Sequence, residues 1–383
     1  MEIDIVAGAR PNFVKIASII DAIREAGPAC GLNYRLIHTG QHNSQAMSDV
    51  FFEQLALPEP DVKLSIPQGS QSEMAAAIMV GYEKVLQEKR PDMVVVVGDV
   101  TSTLAAAITA KKMKNIPVAH VEAGIRSGDW TMPEEINRII TDSVSDYFFT
   151  PSETANLNLL ESGVPEERIF FVGNTMIDTL LRHQHRFYQP DFWEEEGLRP
   201  QHYILLTMHR QANVEDPVVL ERILKAVVRG SAWLPIVFPV HPRTAAVMAK
   251  LSVQAPNLIL CPPQSYLEFN YLARHALAVV TDSGGISEET TVMNVPCLTL
   301  RKSTERPETC TTGTNMLLGT NPAKIEKGVA RLLSGEWTSG KAPELWDGQT
   351  GKRIVKVLEG LGKNYSAVHL PHNLSRLENA YKY

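Results

Sequence analysis

The sequence predicts an α/β protein built on two parallel sheets, and three observations carry that expectation. Short unbroken apolar runs such as Val94–Val97 alternate with helical stretches along the whole chain; such runs mark parallel strands buried on both faces. Most of these runs end on Gly, Asp, Glu, His or Ser just before a helix begins. At 383 residues the chain exceeds one ordinary core. The division falls at Gly173–Asp178, read as a small polar loop between two complete units. Two Rossmann-like domains facing across a cleft are expected, residues 1–174 and 175–363, with the tail 364–383 packing back on the first and the final helix, Gly351–Leu361, able to cross back with it.

Each element follows from local pattern. Ile3–Ala7 is a strand closing on Gly8-Ala9-Arg10-Pro11, with Phe13–Ile23 as its helix. Tyr34–His38 ends at Thr39-Gly40-Gln41-His42, and Ser48–Leu55 reads as a short helix. Ser72–Gln87 is a long helix, after which Pro91-Asp92 introduces the valine strand. That strand breaks at Gly98-Asp99, and Thr101-Ser102-Thr103 open an Ala-rich helix. Val118–Val121 ends at Glu122-Ala123-Gly124, and Pro133-Glu134-Glu135 begin a helix carrying Asn137 and Arg138. Tyr147–Phe149 is followed by Ser152, placed as an N-cap. Ile169–Val172 ends at Gly173-Asn174. The second half repeats the grammar. Tyr203–Leu206 ends at His209-Arg210, Ile236–Val240 at His241, and Leu277–Thr281 at Asp282-Ser283-Gly284-Gly285. Helices are expected over Val219–Arg229, Tyr266–Ala276 and Gly351–Leu361, with short strands at Cys297–Leu300 and Met316–Leu318.

Composition excludes several classes of function. The formal charge is -6 and no basic run or aromatic-basic stripe occurs, so nucleic acid is not an expected partner. Four scattered cysteines without CxxC spacing argue against a zinc site or a disulfide framework and fit a reducing cytoplasm. The start, Met1-Glu2-Ile3-Asp4, lacks a signal-peptide pattern, and no apolar run approaches the ~20 residues that span a bilayer. The pairs His183/His185 and His369/His372 have no acids at ligand spacing, so they are read as solvated and no metal is expected.

The chemistry is expected at the strand ends, because ligands of open parallel sheets bind in the crevice outside the carboxyl ends of the strands. One acid there is as often a helix cap as a functional group. Three acids, Asp99, Glu122 and Glu134, within one βαβ unit beside His120, Arg126 and Arg138 read instead as an acid/base wall. The second half offers His209, Arg210, His241, Asp282–Gly285 and Glu289 to the same cleft. Ser283-Gly284-Gly285 between strand and helix forms a phosphate cradle, since glycine admits a close ligand and the helix start presents free N–H groups. Glu289, one turn later, suits ribose hydroxyls, so a nucleoside diphosphate is the expected ligand. Arg10 and Lys15 face it from the first half, and Arg306 in the hydroxyl-rich loop is a second phosphate contact. No GxxxxGK[ST] loop is present and no GxGxxG follows the first strand, so neither nucleotide hydrolysis nor a nicotinamide cofactor is expected.

These segments resemble the non-hydrolysing UDP-N-acetylglucosamine 2-epimerases. The match runs in order through Gly8–Pro11 with Lys15, Thr39–His42, Gly98-Asp99, Val121–Arg126, Pro133–Arg138, Gly173–Thr175, His209-Arg210, Pro239–His241, Asp282–Glu289 and Thr304–Glu308. The resemblance implies a glycosyltransferase-B-like fold, a homodimer, no cofactor and interconversion of UDP-GlcNAc and UDP-ManNAc. By position it implies catalytic roles for Asp99, Glu122, Glu134 and His209. It implies substrate contacts by Arg10, Lys15, Gln41, His42, Arg138, His241 and Arg306, a UDP site at Ser283, Gly284, Gly285 and Glu289, and Phe269 at the uracil side. The chain departs from the family at Val100 and Ser102 after Asp99, at Gln211 after Arg210, and at Ser44, where a second Gln serves an allosteric UDP-GlcNAc site. The Arg expected near Gly69 is also absent. A branch acting on diacetamido uronic acid sugars shares the Met132–Arg138 run. A UDP-sugar-dependent glycosyltransferase would share the cleft but needs an acceptor and has no use for three acids together. The transferase, a hydrolysing epimerase and a UDP-sugar sensor all rank well below the main reading.

Inverting C2 without an adjacent carbonyl calls for UDP to leave first. The oxocarbenium-like centre then acidifies C2–H. That step needs donors on the departing diphosphate, a carboxylate near the developing cation and a base at C2.

Overall fold

The computed structural model describes residues 1–41, 51–67, 69–249, 251, 255–337 and 339–369. The expected short helix over Ser48–Leu55 is described only from Phe51, where residues 51–54 are helical. The site candidate His42 and the position Ser44 lie outside the described residues.

The first body carries strands β1 (Glu2–Ala7), β2 (Asn33–His38), β3 (Val62–Lys63), β4 (Met93–Val97), β5 (Val118–Val121), β6 (Tyr147–Thr150) and β7 (Ile169–Phe171). They form one parallel sheet in the order β3-β2-β1-β4-β5-β6-β7. The second carries β8 (Ile204–Thr207), β9 (Ile236–Pro239), β10 (Leu258–Cys261), β11 (Ala278–Thr281), β12 (Cys297–Thr299) and β13 (Asn315–Leu317), ordered β10-β9-β8-β11-β12-β13 and again parallel. Both sheets reverse direction of growth once, between β1 and β4 and between β8 and β11, and those switch points are where a doubly wound sheet opens its crevice. All five residues of β4 are buried, as its run of valines requires of a central strand covered on both faces.

Helix α1 (Arg10–Ala26) is buried on almost every side from Asn12 to Ile23. A helix buried on most of its circumference needs covering on more than one face. The sheet covers one; α2 (Thr175–His183) and α3 (Thr350–His369) cover the rest. The backbone N–H of Gly351 donates to Asp178 (2.7 Å), Thr179 Oγ1 donates to the Val14 carbonyl (2.7 Å), and Ile354, Val355 and Leu358 enter the core of the first body. The sequence division differs here in two ways. The stretch Gly173–Asp178 is a loop only to Asn174, whose side chain accepts from the Met176 N–H (2.9 Å) and starts α2. Residues 350–358 fall within the second unit's sequence bounds, yet they pack with the first, the crossing open to the final helix. Ser152 does cap its helix, accepting from the Ala155 N–H at 3.3 Å. His183, read as solvated, is buried with Nδ1 on the Thr179 carbonyl (2.9 Å), and burial lowers its pKa.

Candidate active site

None of the three acids is spent as a helix cap. The helix after β4 (Thr101–Lys112) has Val100 at its cap position, the helix bearing Glu134 (Pro133–Val144) has Met132, and neither cap uses a side chain. Asp99 instead pairs with Arg138 (2.6 Å), while Asn137 donates to the Asp99 carbonyl (2.8 Å). Arg138 is itself fixed by Glu135 (2.9 Å), whose carboxylate also accepts from the N–H groups of Ser127 (2.9 Å) and Gly128 (3.0 Å). Glu122 follows β5 directly with φ +71, a left-handed backbone rare outside glycine and a form of strain that concentrates at working sites. It is 6 % exposed. Lys15 from α1 donates to one of its oxygens and Arg306 from the second body to the other. Glu134 is exposed and makes no hydrogen bond or ion pair among the described residues.

Behind this wall, His120 lies between acceptors on both sides, Nε2 on the Gly98 carbonyl (2.8 Å) and Nδ1 on Asp142 (2.7 Å). Burial opposes charge on Asp142, but His120 and Arg126 (2.6 Å) outweigh it and hold the carboxyl below its ordinary range. The ends of β4 and β5 are thereby tied to the helix that carries Glu134 and Arg138. The turn after β1 is tied in as well. Asn12 accepts from the Ala9 N–H (3.2 Å) and donates to the Val97 carbonyl (2.9 Å). Gln41 accepts from the N–H (3.0 Å) and hydroxyl (2.7 Å) of Ser102, closing the start of the Thr101 helix from outside. Arg10 is half-buried, with its guanidinium carbon 5.8 Å from the Phe51 ring centroid, and burial lowers its pKa.

In the second body the segment after β11 organises the loops. Asp282 is wholly buried and accepts from His209 Nδ1 (2.9 Å), the N–H groups of His209 (3.1 Å) and Arg210 (3.0 Å), and Asn213 (2.9 Å). Burial would raise its pKa; these donors, His209 foremost, bring it below the ordinary value. With Nδ1 engaged, the His209 ring presents Nε2, and the side chain is 64% exposed. Ser283 occupies the cap position of helix α4 (Gly284–Val292) without using its hydroxyl there. A Cβ on Gly284 would stand 2.6 Å from a Glu305 oxygen and 3.5 Å from Arg301 Nη1, so the start of α4 is lined by charge. Arg301 pairs with Glu305 (2.6 Å), whose carboxyl that pairing holds down at about 2 against the pull of burial. Met132, from the first body, has its sulfur 3.9 Å from both Arg210 and Arg301. Further along α4, Glu288 accepts from Arg306 and from Asn174 (2.9 Å). Glu289 accepts from Tyr266 (3.2 Å), and burial pushes its carboxyl up to about 8. His241 is exposed just after β9, and Phe269 is half-buried against the cluster of Trp193, Tyr203 and Leu272.

Candidates from the two halves therefore meet: Glu122 is held by Lys15 on one oxygen and by Arg306 on the other, and Arg306 touches Glu288 on the helix that begins at Gly284. Arg301, Glu135 and Asp142 were not singled out by sequence. Arg301 follows β12 by two residues, so the strand-end rule applied to that strand would have found it. Among the described residues no group of three or more His, Cys, Asp or Glu side chains is arranged to hold a metal, and no helix is long and apolar enough to cross a membrane.

Comparison with known proteins is consistent across the chain. The sequence model of the UDP-N-acetylglucosamine 2-epimerase family matches residues 25–359. A UDP-N-acetylglucosamine 2-epimerase from Methanocaldococcus jannaschii is 38% identical over 374 residues, covering 94% of this chain and 99% of that protein. A UDP-2,3-diacetamido-2,3-dideoxy-D-glucuronate 2-epimerase from Pseudomonas aeruginosa is 38% identical over 365 residues, covering 94% and 100%. The crystal structure of the M. jannaschii UDP-GlcNAc 2-epimerase in complex with UDP-GlcNAc and UDP superposes with a TM-score of 0.82, covering 94% of this chain and 99% of that one.

Proposed function

Since this chain belongs to the UDP-N-acetylglucosamine 2-epimerase family, with its glycosyltransferase-B-like fold, we propose that it interconverts UDP-GlcNAc and UDP-ManNAc by inverting C2 of the sugar. The observation that carries the reading is the bridge from Glu122 through Arg306 to Glu288. It supports the reading because it joins the acid wall of the first body to helix α4 of the second.

In this reading the diphosphate rests on the N–H groups of Gly284 and Gly285 and the free hydroxyl of Ser283, flanked by Arg210 and Arg301. Glu289, largely protonated at neutral pH, meets the ribose, Phe269 lies on the uracil side, and His241, Arg10 and Gln41 line the approach. The anomeric C–O bond breaks with its electron pair going to the β-phosphate oxygen. Preorganised donors at the helix start and His209 Nε2 take up that charge. A carboxylate then removes the C2 proton, leaving a 1,2-unsaturated sugar and UDP. Return of a proton to the other face of C2 and of UDP to C1 completes the inversion. Asp99, Glu122 and Glu134 divide the proton transfers and the stabilisation of the cation. Of the three, Glu134 has no ion-pair partner within 4 Å among the described residues, and Asp99 and Glu122 are held in place by cations. The working unit is taken to be a cytoplasmic homodimer, to be checked by light scattering at assay concentrations.

An NMR time course of UDP-GlcNAc in D2O tests the proposal. We expect UDP-ManNAc to appear with deuterium at C2 in both sugars. Free ManNAc, or turnover without label, rejects it. The 38% identity to the P. aeruginosa enzyme favours one second reading, 2-epimerisation of a UDP-diacetamido uronate, and that sugar in the same assay separates the two.

A further inference from the structure

We propose that His120 is a positioning residue of the acid wall: it donates from both ring nitrogens, pins the turn that carries Asp99, and sets a fixed positive charge behind Glu122. The inference rests on the epimerase reading above and concerns how the wall is held and charged.

His120 lies in β5, just ahead of Glu122, and is wholly buried. Hydrogen-bond accounting fixes its protons. Nε2 stands 2.8 Å from the Gly98 carbonyl, an oxygen that can only accept. Nδ1 stands 2.7 Å from Asp142. That carboxylate also pairs with Arg126 (2.6 Å) and accepts from the Gly124 N–H (3.2 Å), so it is ionised and has no proton to offer. A ring between two such acceptors donates to both, and an imidazole protonated on both nitrogens is the cation. A neutral ring would leave one buried acceptor facing a lone pair, the costlier arrangement.

Both contacts bear on the wall. Gly98 is left-handed, with φ +69, and leads straight into Asp99. A Cβ on it would stand 3.0 Å from Lys15 Nζ and 3.2 Å from a Glu122 oxygen, so the Lys15–Glu122 pair lies directly against this turn. His120 holds the turn by its carbonyl, while Asp142 sits on the helix that bears Glu134 and Arg138. One side chain thus links the supports of Asp99, Glu122 and Glu134. The charge matters as much as the geometry. Asp142 faces two cations, His120 and Arg126, so the cluster behind Glu122 is positive. Burial opposes ionisation of Glu122; Lys15 and Arg306 outweigh it, and His120 adds to them. With no exposed surface the ring cannot touch substrate, so it acts through the acids it holds.

The protons are read directly by NMR of the parent with 15N-labelled histidine at neutral pH. We expect one slowly exchanging ring with a proton on both nitrogens. The other buried rings among the described residues do not mimic it: His38 Nδ1 accepts from the Gly40 N–H (2.9 Å), and burial disfavours the charged form of His183. A parent in which every slowly exchanging ring carries a single proton overturns the proposal without recourse to a variant. Two substitutions then separate the two bonds. Asparagine can keep the Asp142 contact but not reach Gly98, glutamine can reach Gly98 but not Asp142, and neither carries the charge. The signal should vanish in His120→Asn and His120→Gln. Turnover is followed on whichever UDP-sugar the parent epimerises, and the parent's own substrate scan decides the epimerase reading separately. With the acids misplaced and the charge gone, kcat should fall by about tenfold or more in each variant, while KM and the Kd for UDP stay within about threefold of the parent. A kcat lowered by less than about tenfold in either variant, or a Kd for UDP raised about tenfold or more, overturns the proposal.

Discussion

At the scale of the residue, Glu289 shows how a binding group is held at the expense of stability. Its carboxyl has an ordinary pKa of 4.5 and is pushed to about 8 by burial, with only Tyr266 and Asn270 offsetting this. Between those values the unfolded chain gives up the proton and the folded chain keeps it. Stability therefore falls as pH rises from about 4.5 to about 8. Glu289→Gln removes this titration. The melting temperature of the variant should exceed the parent's by more at pH 8 than at pH 5, as read by calorimetry. If Glu289 meets the ribose, the same variant should bind UDP about 3- to 10-fold more weakly, the worth of one hydrogen bond. A gap in melting temperature independent of pH would mean that the carboxyl is ionised in the folded protein. The residues of the wall were legible in the sequence because Asp99 and Glu122 stand just after strands and Glu134 at a helix start. Their partners were not. Arg306 and Glu122 are 184 positions apart, and only the closed fold brings them together.

At the scale of the element, the turn after β1 is set by crowding. A Cβ on Gly8 would stand 2.0 Å from Thr39 Oγ1 and 2.2 Å from Ser102 Oγ, and those two hydroxyls hydrogen-bond each other at 2.6 Å. Glycine is needed here because three chain segments converge where the first sheet changes direction. Gly8→Ala must separate Thr39 from Ser102, and with them the Gln41 contact that closes the Thr101 helix. We expect a loss of about 1–3 kcal/mol, measured by urea unfolding. Unchanged stability would show that the three segments are not tightly joined. The strand–turn–helix grammar gave these elements well, since apolar runs and Gly-rich ends are local signals. It misread Gly173–Asp178, where composition suggests a loop. The capping side chain of Asn174 and the apolar face of Ile177 and Leu180 make it the start of a helix.

At the scale of the whole molecule, the first body is not complete at residue 174. Helix α1 is covered by α2 and α3, which lie on either side of the second sheet in the sequence. A fragment of residues 1–174 would bare the α1 surface that packs against Ile354, Val355 and Leu358. It should be recovered insoluble, or soluble but binding a hydrophobic dye. A fragment that melts cooperatively and ignores the dye would show that the cover is dispensable. Periodicity could suggest a closing helix over Gly351–Leu361 but not which body it joins, because an amphipathic face does not name its partner. The return has a mechanical consequence. The chain goes out through Gly173–Asp178 and comes back through Leu345–Gly351, and the two passages lie against each other. Leu345 abuts Gly173, Trp346 donates to the Pro151 carbonyl (3.0 Å), and Gly351 meets Asp178. Paired tethers at a single place make a pivot. Rotation about that axis would leave both tethers seated, while sliding or twisting in other directions would pull both from their seats.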